Sequence, residues 1–316
     1  MAHRIDALRA PLLVAWQLTR DCDLACLHCC TESAPGKRLP DELTRDEAMG
    51  IAAQIVALDV PYVLLCGGEP LVCPHLLEIA ERLGGAGVRL KIETNGQRLD
   101  ASIVRRLAAL PVRSIQVSLD GATQATYERQ RPGASLAKAH AACHAVTRAG
   151  LPLEITFAPS LINIGEGEAV LESARALGAF RFNTGRLMRI GTAARHWPRL
   201  EPSEAQYRAF RAMLERQAAK PGMEICREPF SMADGLRRSA AEPPATLLIL
   251  PNGWVKVAAA LPDVCADLRR DTLREAWDGY RRAWRGPAMC ATVHEAIAEE
   301  RLHAQANAWR LLPVNV

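Results

Sequence analysis

The chain has 316 residues, 49% of them hydrophobic and 23% charged, which excludes a disordered or fibrous protein and leaves room for one large α/β barrel or two domains. Its formal net charge of +4 comes from Arg and Lys scattered among Asp and Glu, so no basic run with interleaved aromatics marks a nucleic-acid surface. No apolar span is long enough for a membrane helix, and Met1 to Ala10 lack the apolar core of a signal peptide, which predicts a cytoplasmic protein whose ten cysteines are ligands or buried thiols rather than disulfides.

After a lead of residues 1–11, the apolar run Leu12 to Trp16 reads as a buried strand. It is followed at once by Cys22, Cys26, Cys29 and Cys30. The turn-rich stretch Thr31 to Pro40 then leads to Thr44-Arg-Asp-Glu47, a capping box that opens a helix ending near Leu58. Val60 to Cys66 is a second apolar strand, stopped by Gly67-Gly68. Alternation continues with helix 74–83, strand 88–93, helix 101–110, strand 112–119, helix 134–149, strand 151–157, helix 165–177, strand 180–188 and helix 202–219. These six strand–helix units carry continuous apolar runs, as parallel strands under helices should. From about Lys220 the pattern breaks at Pro221-Gly222 and Glu242-Pro243-Pro244. Ala245 to Ala258 then reads as a hairpin about Asn252-Gly253, and two helices follow over 272–285 and 293–309. The expected organisation is a core over 12–219 and a small α+β extension over 220–316.

Cys22, Cys26 and Cys29 stand at Cys-x3-Cys-x2-Cys spacing, and their thiolates suit zinc or an iron–sulfur cluster, with two disulfides as the third reading. Ligands of parallel α/β sheets gather at the carboxyl ends of the strands. There the sequence places the cysteine loop, Gly67-Gly68-Glu69-Pro70, Thr94-Asn95-Gly96 and Ser118-Leu-Asp120-Gly121. The glycine turn lets backbone approach a bound amino-acid group, and Glu69 could accept a hydrogen bond from its ammonium.

These four motifs, in this order over residues 12 to about 219, resemble the signature of the radical S-adenosylmethionine (radical SAM) superfamily. The resemblance implies a partial (β/α)6 TIM-type barrel. It also implies a [4Fe–4S] cluster on Cys22, Cys26 and Cys29, with the amino and carboxylate groups of S-adenosylmethionine on the fourth iron. In such enzymes the reduced cluster cleaves the sulfonium to methionine and a 5′-deoxyadenosyl radical, which takes a hydrogen atom from substrate. An external donor such as flavodoxin or ferredoxin supplies the electron. Carried over residue by residue, Gly67, Gly68 and Glu69, with Pro70 closing the turn, would hold the methionyl amino group. Thr94, beside Asn95, and Ser118 would approach the ribose or the methionine. Arg131 would pair with the methionyl carboxylate, the alternative being a solvated loop arginine, and His28 would lie near the adenine.

The hairpin about Gly253 and the run Asp267 to Trp277 resemble, more weakly, the SPASM or twitch extension that holds auxiliary clusters in many of these enzymes. That pattern needs cysteines before the hairpin and five residues after Gly253; this chain has none over 238–244, Ala258 stands at the second place, and Cys226, Cys265 and Cys290 do not restore the spacing. The extension is therefore expected to lack an auxiliary cluster. Relatives of this kind act on ribosomal peptides, tetrapyrroles, sugars or nucleosides. Because about eleven residues precede the first strand, leaving no leader-recognition domain, a small-molecule substrate is favoured over a peptide. No cobalamin domain is evident. A noncatalytic iron–sulfur or zinc protein is the reading of another class; the glycine turn with Thr94 and Ser118 argues against it, since an electron carrier needs no S-adenosylmethionine site.

Overall fold

The computed structural model of the protein describes residues 5–227 and 230–312, so the first four residues of the amino-terminal lead lie outside it. One eleven-stranded sheet organises these residues. In chain order the strands are β1 (Leu13–Gln17), β2 (Tyr62–Cys66), β3 (Arg89–Thr94), β4 (Val112–Ser118), β5 (Leu153–Phe157), β6 (Arg181–Thr184), β7 (Glu224–Cys226), β8 (Thr246–Ile249), β9 (Trp254–Lys256), β10 (Asp263–Asp267) and β11 (Arg310–Leu311).

Neighbours from β1 to β7 follow sequence order, and every pair is parallel. Right-handed crossovers between successive neighbours put all the connecting helices on one face. The sheet is thus singly wound, a partial barrel rather than a doubly wound sheet. β7 is a seventh parallel strand, one more than the six repeats read from the sequence, and it comes from the segment assigned to the extension. Three residues between Pro221-Gly222 and the described Arg227 carry too little pattern to be recognised.

The strands also alternate more than expected. Val14 and Trp16, Val63 and Leu65, and Leu90 and Ile92 are wholly buried under the helices, whereas Gln17, Cys66, Lys91 and Glu93 face the barrel lumen. A lumen that stays open needs polar walls, so the continuous-run expectation fails from β3 onward. Lys91 Nζ donates to Gln116 Oε1 and Glu154 Oε2, both at 2.9 Å. Asn183 Nδ2 donates to the same two oxygens at 2.9 and 2.7 Å. Burial would raise the Glu154 carboxyl, but these donors hold it below its ordinary range.

Helix Arg45–Ala57 starts on the expected capping box, with Thr44 and Glu47 bonded reciprocally. A short helix, Gln124–Gln130, and a further one, Met232–Ala241, were not anticipated from sequence. The second terminal helix runs over Pro287–Ala298, with a 3-10 turn over Glu300–Gln305, instead of one helix to Trp309.

The extension adds to the core sheet. β8 lies parallel to β1 and turns at Asn252-Gly253 into antiparallel β9, which pairs with β10. Helix Leu273–Arg285 covers this edge through Trp277, stacked on Tyr280 with ring centroids 5.4 Å apart, and Trp277 Nε1 donates to Leu8 O at 3.1 Å. Arg269 reaches back to the carbonyls of Asn252, Asp41 and Glu42 and to the Glu47 carboxylate at 2.7 Å.

Arg269's hydrogen bond is the largest cause that pulls the Glu47 carboxyl down to about 2 from 4.5. A depressed carboxyl stabilises the fold above its unfolded value and loses that contribution as pH falls through its folded value. Arg269→Ala should therefore lower stability at pH 7 by about 1 kcal/mol, since Glu47 is partly exposed. Chemical denaturation of both proteins should show the difference shrinking between pH 4.5 and 2.

Candidate active site

The loop carrying Cys22, Cys26 and Cys29 begins where β1 ends. A buried carboxylate fixes its entry: Glu42 accepts from Thr19 Oγ1 at 2.9 Å, Arg20 N at 2.8 Å and Leu39 N at 3.1 Å. The glycine turn after β2 then presses against the same loop. Gly68 N donates to Thr19 O at 2.7 Å and Glu69 N to Asp21 O at 3.0 Å. A Cβ on Gly68 would stand 2.0 Å from Asp21 O, so only glycine fits. The close approach foreseen toward a ligand is thus made first to the cysteine loop. A third contact comes from the segment after β6: Thr192 N donates to Cys29 O at 2.9 Å, and Gly191, at φ +59°, sits where a Cβ would be 2.6 Å from Cys30 O. The extension supplies a fourth, Asn307 Nδ2 donating to Cys30 O at 2.8 Å.

Held in this way, the three sulfurs line one cavity of about 890 Å³. Each thiol has its own donors. Cys22 Sγ faces Leu24 N at 3.4 Å and Asn95 Nδ2 at 3.8 Å; Cys26 Sγ faces Arg131 Nη1 at 3.6 Å; Cys29 Sγ faces Ser33 N and Thr31 Oγ1, both at 3.3 Å. Burial pushes the Cys22 thiol up to about 12 and the Cys26 thiol to about 11, so a cation is needed before either ionises readily. None of the ten cysteines is in a disulfide. Among the described residues no three His, Cys, Asp or Glu side chains converge on a point that one metal ion could occupy. Zinc needs its sulfurs about 2.3 Å from a shared centre. A cluster instead offers each thiolate its own iron, and three donors spaced around one cavity fit that requirement.

The remaining predicted residues fall into two groups. Gly67, Gly68, Thr94, Asn95, Ser118, Arg131 and His28 line the cavity. Glu69 and Pro70 are buried behind the turn. Glu69 accepts from Thr94 Oγ1 at 2.7 Å, Asn95 N at 2.8 Å and Leu71 N at 3.2 Å, while burial pushes its carboxyl up to about 7. It stitches the second strand end to the third, and the Thr94 hydroxyl is engaged in doing so.

Arg131 is not a solvated loop arginine. It is 7% exposed, with Nε 2.7 Å from Asp120 Oδ2, which also takes His28 Nε2 at 3.1 Å. Asp120 Oδ1 accepts from Ala158 N at 2.7 Å. Burial alone would raise the Asp120 carboxyl, but Arg131 and His28 hold it well below the ordinary range. Asp120, within Ser118-Leu-Asp-Gly121, has no role assigned by the motif itself; a carboxylate two residues past the end of β4 is the signal that could have found it. Also missed were the lumen residues Glu93, Gln116 and Asn183, and helix Met232–Ala241, which contributes Met232, Gly235 and Leu236 to the cavity. Tyr207 and Trp197 pack away from it, and Tyr207 Oη accepts from Leu187 N at 3.1 Å. Trp254 is not among its lining residues either.

Two substitutions and one control probe this construction. Gly68→Ala should displace the cysteine loop, cost about 1–3 kcal/mol and reduce the iron retained after anaerobic reconstitution. Gly85→Ala, whose methyl meets nothing within 4 Å, should do neither. Asp120→Ala leaves the buried Arg131 unpaired and should cost about 3–5 kcal/mol in urea denaturation.

The Radical SAM superfamily signature matches residues 16–174. The AdoMet-dependent heme synthase of Methanosarcina barkeri is 30% identical over 299 residues, covering 87% of this chain and 84% of the relative. The mycofactocin maturase MftC of Mycobacterium ulcerans is 34% identical over 205 residues, covering 65% of this chain, and the chain spans only 54% of the maturase. Among solved structures, Streptococcus suis SuiB superposes with a TM-score of 0.69 at 15% identity, covering 86% of this chain and 67% of SuiB. The AdoMet-bound anSMEcpe gives 0.64 at 12% identity, covering 94% of this chain and 88% of that one. At such identities the likeness is one of fold. The sequence relatives are enzymes, which sets aside the noncatalytic reading, and among the described residues no helix is long and apolar enough to cross a membrane. The chain belongs to the radical SAM superfamily, enzymes that use a [4Fe–4S] cluster and S-adenosylmethionine.

Proposed function

We propose that the protein holds one [4Fe–4S] cluster on Cys22, Cys26 and Cys29 and uses it to abstract a hydrogen atom from a small molecule of a natural-product or cofactor pathway, a sugar, nucleoside or tetrapyrrole. When bound, the cluster and S-adenosylmethionine supply an electron-triggered 5′-deoxyadenosyl radical. The chain's own residues do the rest. Gly67 and Gly68 offer backbone to the methionyl amino group, with Glu69 and Pro70 setting the turn from behind. Arg131, oriented by Asp120 through Nε, would present its Nη1 and Nη2 groups, which stand near Cys26 Sγ and His28, to the methionyl carboxylate. Ser118, whose hydroxyl faces the cavity, takes the ribose or methionine, and Thr94 and Asn95 frame that wall. His28 borders the adenine position.

The observation that carries this reading is the single cavity. It joins the three thiols, both glycines, Ser118 and Arg131 to a lumen large enough for a second molecule, and helix Met232–Ala241 forms part of its wall. Radical chemistry is favoured where walls limit access, because water and stray donors quench the intermediate. The near full-length match to the heme synthase supports a small-molecule substrate. Maturation of a ribosomal peptide is the second reading, favoured by the higher identity to the mycofactocin maturase over the core. An external flavodoxin or ferredoxin would donate the electron.

The extension is proposed to hold no second cluster. Cys226 stands on β7, Cys265 on β10 with its thiol against Val255 O at 3.4 Å, and Cys290 is exposed on helix Pro287–Ala298. They stand on three different elements, and their spacing does not match the auxiliary-cluster pattern.

Anaerobic reconstitution should give about four irons per chain, the content of a single [4Fe–4S] cluster. Dithionite with S-adenosylmethionine should then yield 5′-deoxyadenosine. Changing Cys22, Cys26 or Cys29 to Ser should abolish both, while Cys30→Ser and the combined Cys226, Cys265 and Cys290 changes should leave the iron content unaltered. About eight irons per chain would remove the single-cluster assignment, and absence of 5′-deoxyadenosine from the reconstituted protein would remove the enzymatic one.

A further inference from the structure

Beneath the cysteine loop, the lumen has a pattern of charge that none of the four sequence motifs calls for. Residues in register along the strands form one row: Gln17 on β1, Cys66 on β2, Glu93 on β3, Gln116 on β4, Glu154 on β5, Arg181 on β6 and, at its solvent-exposed edge, Glu224 on β7. Lys91 lies one inward position below Glu93. This row with Lys91 contains three carboxylates and two cations.

The cations are already engaged. Lys91 Nζ sits 2.9 Å from Glu154 Oε2, and the Arg181 guanidinium 2.8 Å from Glu224. Glu93 shares Lys91 with Glu154, at an ion-pair distance of 3.8 Å that is beyond hydrogen-bond range. It is also the one carboxylate of the three that lines the cavity. Burial raises its carboxyl above the ordinary value, although Lys91 and the Gln116 side chain pull the other way, so the one cation Lys91 serves both Glu93 and Glu154. Other charges on the cavity wall leave this imbalance in place. Arg131 is paired with Asp120 and Arg186 with Glu204, and Arg238 and Glu242 on the closing segment are of opposite sign.

The cavity lining also includes the apolar side chains of Phe157, Leu187, Met188, Phe230, Met232 and Leu236. A ligand matching both surfaces has an apolar body and a nitrogen-borne positive charge or strong N–H donor at one end. We propose that Glu93 is a substrate-recognition residue that receives an amino group, so that the substrate is an organic amine whose ammonium points down into the barrel. This rests on the reading of the cavity as the substrate site of a radical SAM enzyme and narrows it. Amino sugars, amino-bearing nucleosides and peptide amines satisfy the floor. A substrate presenting only carboxylates to the lumen meets an excess of carboxylate over cation there and is disfavoured.

The test uses the reconstituted full-length protein with S-adenosylmethionine and two probes of equal length and opposite charge, n-hexylammonium and hexanoate, titrated calorimetrically. The ammonium should bind the wild type at least tenfold more tightly than the carboxylate, as one charge-assisted hydrogen bond provides. Glu93→Gln should erase that preference, and Glu93→Asp should retain part of it. Equal or tighter binding of hexanoate, binding of neither probe, or undiminished ammonium binding by Glu93→Gln overturns the inference. Should the Gln variant not fold, the two-probe comparison on the wild type decides alone. Wild-type 5′-deoxyadenosine formation is measured on the same preparation. Its loss would count against the enzymatic reading, whereas its presence with a failed probe comparison overturns the amine assignment only.

Discussion

Three carboxylates almost wholly removed from water hold the strand-end loops together: Glu42, Glu69 and Asp120. A buried carboxylate is costly unless its oxygens are saturated with donors, and each of these is saturated by groups from different loops. Glu42 draws in Thr19, Arg20 and Leu39; Glu69 draws in Thr94 and Asn95; Asp120 draws in Arg131, His28 and Ala158. The loops cannot separate without stranding a charge. This rigidity matters for a cluster site, whose ligands must stand apart at fixed distances rather than close around one ion.

The strand–helix alternation, the capping box at Thr44 and the motifs at the first four strand ends were legible in the sequence because each rests on local chemistry: periodicity, a capping pattern, and glycines where backbone crowds. What stayed hidden depends on distant partners. Gly68 reads as a ligand-facing residue until Asp21 O is found against it. Arg131 reads as equally suited to solvent until Asp120 and Cys26 are seen to enclose it. Polar residues within β3 to β6 look like flaws in apolar runs until the lumen they face is known. β7 is too short to leave a pattern, and only its pairing with β6 defines it.

The extension differs most from its reading as an appendage. β8 continues the core sheet from the side of β1 opposite β2, and Arg269, Trp277 and Asn307 bind back to Asp41, Leu8 and Cys30. Residues late in the chain therefore help to set the shape of a loop near its beginning, through contacts of high sequence separation. Such contacts are slow to form in folding but tie the two regions into one cooperative unit.

In the eleven-strand order, β1 has four strands on one side and six on the other. Local opening starts at sheet edges, where a strand has one neighbour and short pairings, as in two-residue β11 and three-residue β7. Fraying from either edge must release several ladders before it reaches β1. The cysteine loop thus springs from a strand deep within the sheet, and the edge at β7 can open before β1 does.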